Sequence, residues 1–429
     1  MTTSIDSPPP VLVPAGASTP PAPDWMLHTL WATREGVSVS TTPPRAGRAV
    51  ERFAVLPSSA DPRFLLPLAC PKAASHALRE YRTGRRGERV VRALLAAGIR
   101  SHMAQPLLRN RVHVSVMPDV DLTARPGLLL RAHVSEILGR EDVQIAVDLV
   151  AARRHGMPTF HIVGRDGAAL GVGKIGWNGV SGRLVANEAR MLARLGQRIP
   201  SVREFDFPRV LHAGRWRELE LLILAPAPAG RRRPVPPRLP LAATDQVATL
   251  WGTERSSLAR SGYWRGIRSR LRRAASTARP SGEALPAIAD QLEQRHGGTM
   301  LAFGSSHGAW APSSMDLIDG RLYVRGWQRS SDLMPCGIDA VHFVHATEVP
   351  RRGVSGARAL PTMLERSRLL LPRLGVAAAN AELLLALHLL ETSLRAAEAG
   401  ALGVALPDRR YVDTLAALIH GPESARAAA

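Results

Sequence analysis

The sequence predicts an α+β, bilobal fold, in which a small strand-rich lobe precedes a larger helical lobe. Between residues 128 and 228, five short strand-like apolar runs surround one amphipathic helix. From residue 229 onward, helical periodicity dominates. We therefore divide the chain into four regions: a disordered Pro-rich tail (1–24), an additional N-terminal α/β module of unassigned role (25–127), the small lobe (128–228) and the large lobe (229–429).

Each element follows from a local pattern. Alternating apolar residues predict strands, a 3.6-residue period predicts helices, and Asp166-Gly167 predicts a two-residue hairpin turn. The predicted strands are Ala60–Leu68, Arg111–Met117, Val143–Val150, Thr159–Val163, Ala169–Ile175, Val210–His212 and Leu219–Leu224. The predicted helices are Lys72–Ala97, Leu128–Leu138, Val185–Leu195, Ala243–Leu250, Glu254–Ala278, Ala284–Arg295 and Ala378–Ala399, the last ending at Gly400.

The composition indicates a globular protein rather than a membrane-spanning, secreted or disulfide-rich one. The 429 residues are 45% hydrophobic and 21% charged, as in ordinary globular proteins. No apolar run approaches the roughly 18 residues that span a bilayer, and the N-terminus has no signal-peptide pattern. Cys70 and Cys336 lie far apart in sequence, so we expect no disulfide framework and predict a reducing, cytoplasmic location.

Arginine carries the positive charge. The formal net charge is +20, and the only two lysines are Lys72 and Lys174, which leaves 54 arginines. A GC-rich genome accounts for this bias, and a polyanion partner such as nucleic acid or an anionic membrane is the alternative. Where the chain uses lysine at all, the position favours a compact ammonium over a guanidinium fork.

The stretch from Phe303 to Phe343 is the most informative. It contains His307-Gly308, Trp310 and Pro312, then an Asp319-Gly320 hairpin turn, Trp327 and Asp339. This frame resembles the catalytic segment of the aminoglycoside phosphotransferase and choline kinase family. The resemblance implies a protein-kinase-like fold, with the strands of residues 128–228 as its small lobe and the Pro-rich stop at Ala225 and Ala227 as its nucleotide-binding hinge.

The acids of that family's pattern are replaced here. The family has His-Gly-Asp, four residues and Asn, then a strand that ends in Asp-Trp-Glu; this chain has Ala309, Ser314, Gly326 and Gln328 at the polar positions. Phosphoryl transfer needs a carboxylate that receives the acceptor proton and oxygen ligands for Mg²⁺. The resemblance therefore predicts that no catalytic residue is intact, and it leaves Mg²⁺ doubtful. Relocated acids at Asp316, Asp319 or Asp332 are the alternative.

Lys174 and Glu188 are the candidate nucleotide ligands. Lys174 lies on the third predicted strand of the small lobe and Glu188 on the following helix. In kinases such a pair positions the nucleotide phosphates, so the resemblance implies ATP as the cofactor. No Gly-rich loop is evident, and the turn at residues 151–156 has one glycine with two arginines and a histidine. A surface lysine and an ordinary helix glutamate are the alternative interpretation.

Two further features are weaker. His342 and His345 have the spacing of helical metal ligands, but no third ligand is evident, so we predict no metal site. Residues 255–279 contain eight arginines around Tyr263 and Trp264, which suits either a solvated helix or a membrane or nucleic-acid surface.

Three functional hypotheses remain. The first is a pseudokinase that binds nucleotide and acts on a protein partner as regulator or scaffold. The second is an active small-molecule kinase with rearranged acids, which transfers the γ-phosphate of ATP to a hydroxylated metabolite. The third is an arginine-driven polyanion binder.

Overall fold

The chain forms two compact units. The computed structural model describes residues 31, 36–43, 47–58, 62–80, 86–101, 103, 108–149, 157–275, 284–352, 356–401 and 409–420. The first unit comprises Met1–Val185 and Val210–Pro226, and the second comprises Ala186–Arg209 and Ala227–Ala429. The predicted tail at 1–24 and the predicted turn at 151–156 lie outside the described residues. Strands and helices both contribute throughout, which confirms the α+β class.

The first unit is built on one nine-stranded antiparallel sheet. The order of its strands is β1-β4-β2-β3-β5-β6-β7-β9-β8. The strands are β1 (Val37–Ser40), β2 (Arg48–Pro57), β3 (Pro62–Pro67), β4 (Arg111–Val116), β5 (Val143–Asp148), β6 (Thr159–Gly164), β7 (Ala169–Gly176), β8 (Val210–Trp216) and β9 (Leu219–Leu224).

Apolar side chains cover both faces of this sheet, because successive residues of a strand point to opposite faces. In β2, Phe53 and Val55 belong to one apolar cluster, whereas Ala54 belongs to another. The first cluster also contains helix residues Leu130 and Val134. The helices of this unit are α1 (Pro71–Glu80), α2 (Arg86–Arg100), α3 (Leu130–Leu138) and the start of α4 (Gly179–Gln197), which runs on into the second unit.

The sheet crosses the boundary that the sequence placed at residue 127. Strand β3 pairs with β5 through Phe64–Asp148 and Leu65–Val147. Strands from the predicted N-terminal module and from the predicted small lobe therefore belong to one sheet. The pairing joins residues about 80 positions apart, and no local pattern contains that information.

Short strands and many helices make up the second unit. Its two small sheets have the orders β10-β13-β14 and β11-β12-β15. The strands are β10 (Arg232–Pro234), β11 (Glu254–Ser257), β12 (Met300–Ser306), β13 (Met315–Ile318), β14 (Arg321–Val324) and β15 (Ser331–Pro335). The further helices are α5 (Leu241–Thr249), α6 (Gly262–Ala275), α7 (Ala284–His296), α8 (Ile338–Arg352), α9 (Leu360–Leu370), α10 (Ala381–Ala401) and α11 (Arg409–His420).

Helix α10 lies in the core of this unit. The sequence predicted one apolar face, but Leu384, Leu385 and Leu389 are as buried as the predicted Leu387 and Leu390. A helix that is apolar on most sides is typical of a central position. The helix also continues through Gly400 to Ala401, two residues beyond its predicted last residue, Ala399.

The predicted helix Glu254–Ala278 was wrong at its start. Residues Glu254–Ser257 form β11, which pairs with β12 through Glu254–Phe303 and Ser257–Met300. Helix α6 begins only at Gly262. Among the described residues, no helix is long and apolar enough to cross a membrane.

Candidate functional site

Asp339 braces the loop that follows β12. It lies in the first turn of α8 and is 6% exposed. Its Oδ2 accepts the His307 N–H at 2.7 Å, and its Oδ1 accepts the Gly308 N–H at 3.0 Å. Burial raises the pKa of Asp339 to about 6, while the two N–H donors and Arg395 pull that pKa down. At neutral pH the carboxylate is therefore ionised and holds the backbone N–H groups of both His307 and Gly308.

The His307 imidazole is buried and bonded at both ring nitrogens. Its Nδ1 accepts the Ala309 N–H at 3.3 Å, and its Nε2 lies 3.2 Å from the Arg325 carbonyl oxygen. Because a carbonyl can only accept, the proton of the neutral ring is on Nε2. The ring therefore joins its own loop to the end of β14 and is not presented as a base.

Aromatic rings enclose this histidine. The ring centroids of Trp327 and Trp310 lie 4.7 and 5.4 Å from that of His307, and Phe205 stacks on Trp327 at 5.7 Å. The Trp310 indole donates to Thr244 Oγ1 at 2.9 Å, and the Trp327 indole donates to the Val324 carbonyl at 3.0 Å. The aromatic positions of the motif thus form a packed and hydrogen-bonded frame.

The structure brings Ser314 and Gly326, two of the replaced positions, close together. Gly326 has φ 85°, and a Cβ there would lie 3.9 Å from Ser314 Oγ and 3.4 Å from Gln328 Oε1. The Arg325 N–H also donates to the Ser314 carbonyl at 3.0 Å. Side chains at 314 and 326 would therefore face one space, as two ligands of one metal must. Ala309, half-buried, contributes only its backbone N–H to a hydrogen bond.

The three neighbouring acids are already engaged. Asp316 is buried and lies 3.3 Å from the Arg325 Nε. Asp319 stands in the β13–β14 turn with φ 49° and accepts the Arg231 N–H at 2.8 Å. Asp332 forms ion pairs with two arginines of α4. Each of these three carboxylates therefore already has an ionic or hydrogen-bonding partner.

Lys174 and Glu188 lie in different units, so their pairing stays a prediction. Lys174 is in β7, opposite Thr159 of β6 and Leu222 of β9. Glu188 is fully buried in α4, and its Oε1 accepts the Trp327 N–H at 3.2 Å. That contact, which the sequence did not predict, ties Glu188 to the same frame.

The candidate hinge residues lie after β9, outside any helix or strand. Ala225 and Ala227 are both half-buried, and the boundary between the two units falls between them, after Pro226. Their proposed contact with nucleotide stays a prediction.

Sequence analysis missed two further residues of the frame. The Asn187 carboxamide donates to the carbonyls of Gln328 and Ser330 at 3.1 and 2.9 Å. Arg395 of α10 donates to the Gly308 carbonyl at 3.4 Å and pairs with the buried Glu391 at 3.3 Å. Asn187 adjoins Glu188 and could have been suspected, whereas nothing in the sequence near Arg395 points to a loop 87 residues away.

A third histidine joins the two that the sequence singled out. His345 Nδ1 lies 2.9 Å from His388 Nε2, and the His342 and His388 ring centroids are 5.2 Å apart. Burial lowers the pKa of His342 to about 3 and that of His388 well below its ordinary value. These neutral rings pack against one another, and the described part of the chain contains no His, Cys, Asp or Glu group arranged to hold a metal.

The key side chains of the arginine-rich segment, residues 255–279, pack inside the second unit. Tyr263 and Trp264 are 5% and 1% exposed, so neither ring is available for stacking on a base or entering a membrane. Arg270 pairs with Glu391 and Glu398 at 3.0 and 2.7 Å. In α6, the aromatic residues are core residues and the most central arginine is neutralised.

The chain is similar to several solved structures, whereas no protein-family model and no curated protein matches it. Among solved structures, the chain is similar to a putative fructosamine-3-kinase from Haemophilus somnus, with 12% identity and a TM-score of 0.41 over 67% of this chain and 95% of that one. A choline kinase from Streptococcus pneumoniae gives 14% identity and a TM-score of 0.37, over 66% and 90% of the two chains.

An ADP-bound aminoglycoside phosphotransferase is also similar, with 11% identity and a TM-score of 0.35 over 63% of this chain and 90% of that one.

Proposed function

We propose that this chain is a kinase-like protein of the phosphotransferase family whose transfer chemistry is strongly impaired, and that it binds a nucleotide as a regulator or scaffold. One observation supports the proposal: the loop that resembles the catalytic loop of a phosphotransferase is packed and hydrogen-bonded, yet its positions 309, 314 and 326 have neither an acid nor an amide. Asp339, His307 and the two tryptophans hold the loop. Positions 309, 314 and 326 offer a methyl group, a hydroxyl and a hydrogen.

The missing groups have distinct roles. A carboxylate at 309 would receive the proton of an acceptor hydroxyl, and an amide at 314 with a carboxylate at 326 would bind Mg²⁺ between the phosphates. A serine hydroxyl is a weaker Mg²⁺ ligand than an amide oxygen, and the nearby acids pair with arginines or with a backbone N–H. We therefore expect very slow transfer.

Nucleotide binding requires less than catalysis does. An ammonium that bridges phosphate oxygens can retain ATP without a metal, and Lys174 is our candidate for that group. ATP is accordingly the nucleotide to test first, both with and without Mg²⁺.

Calorimetric titration with ATP tests this part of the proposal. We expect saturable binding by the wild type that changes little when Mg²⁺ is added, and about a tenfold or greater loss in Lys174→Ala, because a charged hydrogen bond contributes roughly 1.5–3 kcal/mol. Lys72→Ala is the matched control, since Lys72 is the only other lysine and is exposed on α1. Equal losses in both variants, or no binding by the wild type, would contradict nucleotide binding at Lys174.

Restoring the acids tests the impairment. In the triple variant Ala309→Asp/Ser314→Asn/Gly326→Asp, we expect transfer or hydrolysis of the γ-phosphate to rise by about a hundredfold or more. The native chain with Asp316→Asn or Asp332→Asn is the control. If either control abolishes a kinase-like rate in the native chain, the acids are rearranged and the protein is an active small-molecule kinase.

A further inference from the structure

A cavity of about 560 Å³ lies within the second unit. It is lined by residues 237–239 and 241, the middle of α8, the C-terminal half of α9 and the turn after α9. Small-molecule sites in proteins commonly measure about 300–1,000 Å³. The cavity is therefore large enough for a complete small ligand.

Much of the lining is apolar. Phe343 and Val344 are each 2% exposed, and Leu241 and Leu370 are half-buried beside them. Leu369 also lines the cavity and is 58% exposed, which is high for a large aliphatic side chain. Such a surface favours the hydrocarbon or aromatic part of a ligand, since the ligand would remove it from water.

The charged part of the lining is strongly positive. Three of the lining residues are arginines, Arg238, Arg366 and Arg373, and one is an acid, Glu348, which lies 3.7 Å from Arg351. The arginines thus exceed the acids in the cavity wall. Pairing with Arg351 further offsets the negative charge of Glu348.

Arg366 provides a second, independent sign of an anion. Its Nε is buried and has no hydrogen-bond partner among the residues that the structure describes. A buried donor without an acceptor costs free energy, and a guanidinium matches the two oxygens of a carboxylate or phosphate. A ligand oxygen in the cavity would satisfy this donor.

We propose that the cavity binds an amphipathic anion: a hydrocarbon or aromatic body against Leu241, Leu369 and Leu370, with a carboxylate or a phosphate monoester on Arg366. Arg238 and Arg373 are exposed and attract the charged end from solvent. None of the loop residues at 307–314 or 326–328 lines this cavity. The proposed ligand therefore does not require the loop residues for its binding.

Titration calorimetry of the purified full chain with three ten-carbon probes below their micelle concentrations tests the site. Decanoate and decyl phosphate carry the two candidate anions, and decyltrimethylammonium has the same tail with the opposite charge. We expect saturable binding of at least one anion and none of the cation. The stronger of the two anions identifies carboxylate or phosphate as the ligand's charged group.

Variants of the cavity wall locate the binding. Arg366→Gln should lower the affinity for the anion by about tenfold or more, because it removes a charged hydrogen bond. Arg368→Gln is the matched control, since Arg368 lies in the same helix but is exposed and outside the cavity, and it should stay within about twofold of wild type. Leu369→Glu should also lower the affinity for the anion, because the new carboxylate repels it. The position is exposed, so the substitution should not prevent folding.

Three outcomes would overturn the proposal. They are no saturable binding of either anion, equal binding of the cation, and equal losses in Arg366→Gln and Arg368→Gln. If Arg366→Gln fails to fold, as judged by circular dichroism, unchanged affinity in Leu369→Glu would have the same force.

Discussion

Two sets of positions within residues 303–343 differ in how the fold uses them. The frame residues His307, Trp310, Trp327 and Asp339 are buried and bonded to one another or to neighbouring strands and helices. The chemistry positions 309, 314 and 326 are less buried, and no side-chain hydrogen bond is recorded for them in the described structure. The loop's shape therefore depends on residues other than those that would do chemistry, so the shape can exist without the reaction.

Of the variants that test this difference, removal of the Asp339 carboxylate should destabilise the protein most. In Asp339→Ala, we expect the free energy of unfolding to fall by about 3 kcal/mol, because two buried N–H groups lose their acceptor at about 1–3 kcal/mol each. Urea unfolding measures the loss. Asp332→Ala is the control: that carboxylate is 40% exposed in its arginine pairs, so the loss should be below about 1 kcal/mol. Similar losses in both variants would mean that Asp339 does not hold the loop.

Local chemistry accounts for the parts of this fold that the sequence predicted well. Asp319-Gly320 forms the predicted turn because both residues take positive φ, 49° and 87°, which Asp tolerates and Gly adopts freely. Gly139 likewise ends α3 at φ 61°. Both features depend on a few neighbouring residues.

Contacts between distant parts of the chain account for what was missed. Glu254–Ser257 becomes a strand because Met300–Phe303 pairs with it, and Arg395 reaches Gly308 from a helix near the other end of the unit. For the site, the motif identified His307 and Asp339 as members of the frame but could not show that Glu188 accepts the Trp327 N–H. Buried acceptors of this kind leave no periodic signal.

Acid should loosen the helix that carries Asp339. His342 and His345 lie in α8 against His388 of α10, and burial lowers the pKa of all three from about 6.5. The unfolded chain binds these protons below about pH 6.5, whereas the folded chain excludes them, so stability falls as the pH falls. For His342 the decline continues toward its folded pKa of about 3. Asp339, with its pKa raised to about 6, acts in the opposite direction between about pH 6 and 4.

The variant His388→Gln isolates this effect. Between pH 6 and 4, its unfolding free energy should decline less steeply than that of wild type, by up to about 1.4 kcal/mol per pH unit for the one group removed. Urea unfolding at several pH values gives both slopes, and Arg395 should be left intact because its charge also lowers the pKa of His388. Identical slopes would show that His388 titrates normally in the folded chain.

A substitution at Gly326 tests whether the frame residues fix the backbone conformation of a chemistry position. At φ 85° the backbone is left-handed, so Gly326→Ala should cost about 1 kcal/mol although a Cβ meets nothing closer than 3.4 Å. Gly266→Ala is a control of opposite sign: Gly266 lies within α6 with open space around it, and alanine should stabilise that helix by about 0.5–1 kcal/mol. A stabilised Gly326→Ala would show that the loop can change its backbone and is not rigidly framed.

The smallest effects should come from the chemistry positions themselves. Ala309 is half-buried and bonds through its backbone, and Ser314 has no recorded side-chain hydrogen bond within the described residues, so Ala309→Ser and Ser314→Ala should each change stability by less than about 0.5 kcal/mol. Thermal unfolding of both variants beside Asp339→Ala measures the contrast. A loss above about 1 kcal/mol at either position would assign it to the frame, and the absence of acids there would then reflect packing of the loop rather than loss of its chemistry.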